Sequence, residues 1–194
     1  MARRRKQDSG WRRRRWRIAA WALLPLFLLV PLIAMQFSDT VDWTLFDFVV
    51  AAILFGGTGA MFEIAVRMSR HAAYRLASAI ALLTAFLLIW VNLAVGVIGD
   101  AGNAANLLYA GVLALGLAGV LWVRFRPHGM ARTLAAMAAA QTLVAAIVLV
   151  LGRWEAAMLT LVFAGLWLLS AGLFRNAAKD QASSRARSSA GPCP

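Results

Sequence analysis

The sequence predicts an all-α integral membrane protein, a bundle of six transmembrane helices. Three observations lead to this prediction: an apolar composition, six long apolar stretches, and basic residues concentrated in alternate connections. Hydrophobic residues make up 62% of the chain and charged residues 14%, against about 45–50% and 25% in soluble domains. A soluble fold of this length could not keep so much apolar surface from water, whereas a lipid bilayer solvates it.

Each apolar stretch is about 20 residues long, enough for a helix rising 1.5 Å per residue to cross a hydrocarbon core about 30 Å thick. Lipid offers no partner to backbone N–H and C=O groups, so a spanning segment has to be helical. A basic run precedes the first stretch, as in a signal peptide, but no small-residue cleavage site follows, and we interpret it as a retained helix. The predicted spans are 18–35, 45–66, 76–98, 106–123, 133–151 and 156–174.

The distribution of basic residues predicts the orientation. All but one of the 20 lysine and arginine residues lie in the two tails or in the second and fourth connections, and only Arg153 lies on the other side. By the positive-inside rule the basic segments are cytoplasmic, which requires an even number of spans. The chain is therefore predicted in a bacterial cytoplasmic (inner) membrane, with a basic cytoplasmic tail over 1–17, a transmembrane domain over 18–174 and a disordered cytoplasmic tail over 175–194.

The basic residues beside the first span also predict a partner. They attract anionic lipid headgroups, with about 1 kcal/mol from each basic residue. Nucleic acid is excluded despite the net charge of +12, because the basic residues are not gathered on one folded face. The predicted headgroup contacts are Arg12, Arg13, Arg14, Arg15 and Arg17.

Four polar residues within the spans are candidates for function, because intramembrane polar groups often line pathways. Asp47 also has a structural interpretation, since it lies in the first turn of the second helix, where the macrodipole favours an anion. Glu63 precedes Arg67 by four residues, the spacing of a helical ion pair. Asn92 and Gln141 lie deeper in the membrane, where an unbonded amide is costly, and both are expected to face other helices.

Stripes of small residues are expected to mark packing faces, because they let helices approach closely. The stripes are Ala52, Gly56 and Ala60 in the second span and Ala110, Ala114 and Ala118 in the fourth. A weak duplication of helix pairs 2–3 and 4–5 is indicated as well. Its signature is the recurrence of Arg67-x3-His71-x3-Arg75 as Arg124-x3-His128-x3-Arg132.

Signatures of catalysis and of cofactor binding are missing. His71 and His128 lie in basic connections, with no acid or cysteine close in sequence to complete a zinc site. Cys193 is the single cysteine, and no nucleotide-binding loop, nucleophile elbow or zinc-protease motif occurs. We therefore expect a protein that is not an enzyme and that holds no cofactor and no metal.

Four runs of residues resemble an uncharacterised family of small bacterial multi-pass inner-membrane proteins. The resemblance covers the chain from about the second span to the fifth and implies a membrane bundle without an assigned activity. Relatives often have an acid and a proline near positions 102 and 104, where this chain has Gly102 and Ala104, so a cation site in that loop is not implied. The runs are Trp43-Thr-Leu-Phe-Asp47-Phe48, Trp90-Val-Asn92-Leu-Ala-Val-Gly96-Val-Ile-Gly99, Asn103-x-x-Asn106-Leu-x-Tyr109 and Arg124-Phe-Arg126-Pro-x-Gly129-Met-Ala-Arg132.

Two functions remain open from the sequence. The first is a structural or interaction component of the membrane, assembling as a homo-oligomer or within a membrane complex through small-residue faces. The second is a small transporter or channel with a polar path near Asp47, Asn92, Gln141 and Glu63. Convergence of these four side chains on one cavity would favour transport, and separate local bonds would favour the bundle.

Overall fold

The computed structural model describes residues 25–26, 28–37, 43–69, 71–94, 96–98 and 103–189, and these ranges contain helices and connections but no strand. Five helices are long and apolar enough to cross a membrane, and a shorter apolar helix precedes them. The predicted first span begins outside the described residues. The helices are α1 (Leu28–Phe37), α2 (Leu45–Met68), α3 (Ala72–Ala94), α4 (Leu107–Val123), α5 (Pro127–Val150) and α6 (Trp154–Ser189).

The chain divides into two compact units at Met61 and Phe62, and helices α3 to α6 belong to the second. Within that unit α6 packs against both α5 and α3, and α4 packs against α5. Helices α3 and α6 are antiparallel, since Tyr74 meets Phe174 while Ala77, further along α3, meets the earlier Ser170. The centre of this unit is therefore α6 together with α5.

Three glycines set the distance between α4 and α5. A Cβ atom built on Gly119 would collide with the Thr133 side chain, and one on Gly116 would lie 2.5 Å from the Met137 sulfur. At the end of the pair, a Cβ atom on Gly129 would lie 2.5 Å from Cβ of Val123. Because these glycines have no side chain, the two helices can lie closer together than other residues would allow. The closer packing increases the dispersion contact between them.

Helix α3 ends four residues earlier than the predicted span, at Ala94. Gly96 adopts φ 73°, a left-handed conformation that glycine reaches without a steric cost, and its N–H donates to the Val91 carbonyl oxygen at 3.1 Å. The next two N–H groups, of Val97 and Ile98, donate to the side-chain oxygen of Asn106 at 3.2 and 2.9 Å. The Asn106 side chain therefore bonds the segment that follows α3. Asn103 caps a short 3-10 turn over Ala104–Asn106.

The segment predicted as a disordered tail is helical where the structure describes it. Helix α6 continues to Ser189, and residues 190–194 lie outside the described part. Adding residues to an existing helix fixes one residue for each new hydrogen bond, so a run of good helix formers such as Ala177, Ala178 and Lys179 extends it. Ala177 is fully buried as well, which gives the extension a packing contact that composition does not reveal.

The two runs proposed as a duplication differ in local structure. Arg67 lies in the last turn of α2, whereas its counterpart Arg124 follows the end of α4 with φ 48°. Phe125 is left-handed too, with φ 59°, so the α4–α5 connection is a tight turn of two strained residues. The duplication stays a prediction.

Candidate functional site: polar groups of the helical bundle

Asp47 closes a capping box at the start of α2. Its carboxylate accepts from the backbone N–H of Thr44 at 2.8 Å and from the Thr44 hydroxyl at 2.7 Å, and the N–H of Asp47 lies 3.4 Å from that hydroxyl oxygen. Such reciprocal bonds satisfy backbone donors that the first turn leaves without helical partners. Beside the box, the rings of Trp43 and Phe48 meet edge to face at 5.3 Å. Asp47 is therefore engaged in capping the start of α2.

Glu63 forms an ion pair within its own helix. The guanidinium of Arg67, one turn further on, donates to Oε1 of Glu63, and the Arg67 side chain is the more exposed of the two. The glutamate precedes the arginine by four residues, the favourable order for such a pair in a helix. The ion pair that the four-residue spacing predicts is therefore present.

Asn92 bonds to its own helix on one side only. Its Nδ2 donates to the Leu88 carbonyl oxygen at 2.8 Å, one turn back. Its Oδ1 is buried and accepts no hydrogen bond from any residue that the structure describes. Asn92 therefore joins no pair of helices through a hydrogen bond within the described ranges.

Gln141 is fully buried on α5, and this agrees with the expectation that it faces other helices. Neither its Nε2 nor its Oε1 has a hydrogen-bond partner among the described residues. A buried polar group without a partner costs about 1–3 kcal/mol. Gln141 is thus the most destabilising of the four polar residues that the sequence singled out.

Trp167 is a second buried group of the same kind, and the sequence analysis missed it. It lies on α6 with 1% of its surface exposed, and its indole N–H has no partner in the described part of the chain. Tryptophan prefers the membrane interface, where its N–H stays hydrated. The sequence does contain an indication of this burial, because Trp167 lies thirteen residues after the start of an apolar helix and therefore far from one interface.

Three hydrogen bonds that the sequence did not suggest join elements of the second unit. The Tyr109 hydroxyl on α4 lies 2.7 Å from the Thr160 hydroxyl on α6. The Ser170 hydroxyl on α6 donates to the Ala77 carbonyl oxygen on α3 at 2.8 Å, and the Tyr74 hydroxyl donates to the Phe125 carbonyl oxygen at 3.2 Å. Tyr74 also packs its ring edge to face on Phe174 at 5.0 Å.

Among the cavities of the described residues, two lie at the ends of helix pairs. The larger, about 570 Å³, lies between the end of α3 and the start of α6, with Val91, Gly96, Arg153 and Glu155 among its walls. The smaller, about 390 Å³, lies between α4 and α5. Neither is lined by Asp47, Glu63, Asn92 or Gln141.

The four candidates therefore do not converge on a described cavity: Asp47 and Glu63 are bonded locally, Asn92 is bonded to its own helix, and Gln141 is buried without a partner. The predicted headgroup contacts from Arg12 to Arg17 lie outside the described residues. In the ranges that the structure covers, no three histidine, cysteine, aspartate or glutamate side chains are grouped as metal ligands.

Comparison with known proteins adds no assignment. No family model, no curated protein and no solved structure matches this chain. The resemblance to a family of small bacterial membrane proteins stays a prediction.

Proposed function

We propose that this chain is a non-enzymatic structural or interaction component of a bacterial cytoplasmic membrane. In this proposal it spans the membrane six times with both termini in the cytoplasm. Five helices with the length and composition of membrane spans support the multi-pass part. The local bonding of Asp47 and Glu63 supports a structural role for the polar residues.

One observation carries the interaction part of the proposal: α4 has two different faces of small residues. Gly116 and Gly119 form the face that packs closely on α5. The alanine stripe of Ala110, Ala114 and Ala118 lies on the opposite face and is exposed. Small residues at helix surfaces are the usual means of close helix–helix approach in lipid, so the alanine face suits a helix of another chain.

The test is photo-crosslinking in native membranes from a diazirine-bearing residue at position 114. Leu115 is the matched control, because it is also exposed but lies about 100° round the helix. We expect protein adducts, with a second copy or another membrane protein, from position 114 and lipid adducts from position 115. Lipid adducts alone at position 114 would contradict the interaction role.

One observation favours a transporter or channel as the second candidate. Gln141 lies within the bundle with both amide atoms unpaired in the described chain, as a residue on a polar path would before a solute or water reaches it. The path would include Asp47, Asn92 and Glu63. Its weakness is that these residues line neither described cavity.

The two candidates are separated by solute flux into proteoliposomes. Vesicles containing the wild type are compared with vesicles containing Gln141→Leu and with protein-free vesicles, for a panel of small polar solutes and for protons. A structural component gives the same flux in all three. Flux that requires the wild-type protein and is lost in Gln141→Leu would establish the transporter in its place.

A further inference from the structure

The α4–α5 hairpin carries positive charge that no acid among the described residues offsets through an ion pair. Its arginines at the membrane end are Arg124, Arg126 and Arg132, with His128 beside them, and residues 101–154 contain no aspartate or glutamate. None of these arginines forms an ion pair within the described ranges, where the acids are Asp47, Glu63, Glu155 and Asp180. An uncompensated basic cluster at a membrane surface attracts anions.

A groove between the two helices opens beside this charge. It is the 390 Å³ cavity, lined by Gly119, Trp122, Val123, Gly129, Arg132 and Thr133. Gly119 and Gly129 contribute no side chains, so part of the wall is backbone. Trp122 is 89% exposed and borders the groove as an apolar residue. The exposed Arg132 is the one charged residue among the described residues that line the groove.

The depth of Arg132 fits the headgroup region. It is the sixth residue of α5, about 7.5 Å along the axis from the helix start. A long arginine side chain at that depth extends its guanidinium to the interface while its methylenes lie against apolar surface. Tryptophan at a helix end occupies the same layer. The groove thus has a cation in the headgroup layer and apolar surface leading towards the hydrocarbon.

We propose that this groove binds one anionic phospholipid, with its phosphate on the Arg132 guanidinium and the start of an acyl chain along Gly119 and Trp122. Basic pockets between membrane helices bind anionic headgroups in this way, and arginine matches phosphate with two parallel hydrogen bonds. The occupant is a lipid because the groove continues from charge into exposed apolar surface. The site is independent of the proposed role of the chain.

Native mass spectrometry of the full-length protein in mild detergent tests the site, with phosphatidylglycerol and phosphatidylcholine as probes. We expect the wild type to bind phosphatidylglycerol more tightly. Arg132→Gln should weaken that binding about five-fold, the factor that corresponds to roughly 1 kcal/mol for one basic residue at a membrane surface. Arg153→Gln is the matched control, because it removes the same charge at a residue that does not line the groove, and it should leave the binding unchanged.

A second readout does not depend on the Arg132 variant folding. Phosphatidylglycerol with brominated acyl chains should quench wild-type fluorescence more than that of Trp122→Phe, which isolates Trp122 among the eight tryptophans. Three outcomes would overturn the site: equal weakening by Arg132→Gln and Arg153→Gln, equal quenching of Trp122 by brominated phosphatidylcholine, or an acidic protein that occupies the groove and that lipid does not displace.

Discussion

The Tyr109 hydroxyl of α4 donates its proton to the Thr160 hydroxyl oxygen of α6, across 2.7 Å. The direction follows from Thr160, because its own proton is directed at the Ala156 carbonyl oxygen at 2.6 Å. Both residues are almost fully buried. In this pair of consecutive hydrogen bonds, both hydroxyl protons have an acceptor, and the bond between the two hydroxyl groups links α4 to α6.

The Tyr109 bond predicts a non-additive pair of mutations. Tyr109→Phe should lower the free energy of unfolding by about 0.6 kcal/mol, the average for interhelical hydrogen bonds in membranes, and by no more than about 1.7 kcal/mol, the largest such value. Thr160→Val should cost more, because it leaves the buried tyrosine hydroxyl without an acceptor. In the double variant much of that extra cost disappears. Unfolding in mixed detergent micelles measures all three, and strictly additive losses would contradict the bond.

The close approach of α4 and α5 predicts opposite responses from two glycines on one helix. Gly119→Ala should destabilise the fold by about 1–3 kcal/mol, because the new methyl group meets Thr133 in a packed interface. Gly111→Ala is the matched control, since a Cβ atom there meets open space. It should be neutral or stabilising, because alanine is the better helix former. The same unfolding assay compares them, and equal effects would show that α4 and α5 are not packed as described.

Burial of an unpaired amide predicts that Gln141→Leu stabilises the bundle. Leucine has a similar volume and no polar atoms, so the change removes a cost of about 1–3 kcal/mol without opening a large cavity. Gln141→Glu should destabilise it, because a carboxyl group in the same place has to be buried charged or take up a proton. Thermal unfolding in detergent checks both. A loss of stability in Gln141→Leu would mean that the amide has a partner in the membrane.

The six-span topology predicts the side from which three cysteines are labelled. A membrane-impermeant maleimide should leave the native Cys193 unlabelled in intact spheroplasts and label it after permeabilisation. With Cys193→Ser as background, Ser9→Cys should behave in the same way, while Gln36→Cys should be labelled in intact spheroplasts. Labelling of Cys193 from outside would mean an odd number of spans or an inverted chain.

Much of the helical architecture can be predicted, because a membrane span is recognised from the summed hydrophobicity of about 20 consecutive residues and needs no knowledge of tertiary contacts. Predicted spans two to six all lie on observed helices, although α3 begins and ends four residues before its predicted span, α5 begins six residues before its own, and α6 continues fifteen residues beyond its own. The local partners of Asp47 and Glu63 were predictable as well, since capping and ion pairing act over one helical turn. The end of α3 was misplaced because a left-handed glycine and a side chain eight or nine residues away determine it.

Composition and segment length alone establish that the chain forms long apolar helices, with charge restricted to their ends, because the cost of burying backbone and charge in lipid acts on each segment separately. Which face of each helix is buried depends on how the helices pack together. Helices that are apolar on all sides carry no amphipathic signal of their packing face, so the exposed stripe of Ala114 and the packed face of Gly119 look alike in sequence. The Tyr109–Thr160 bond, the burial of Gln141 and Trp167, and the groove beside Arg132 all follow from that choice of faces.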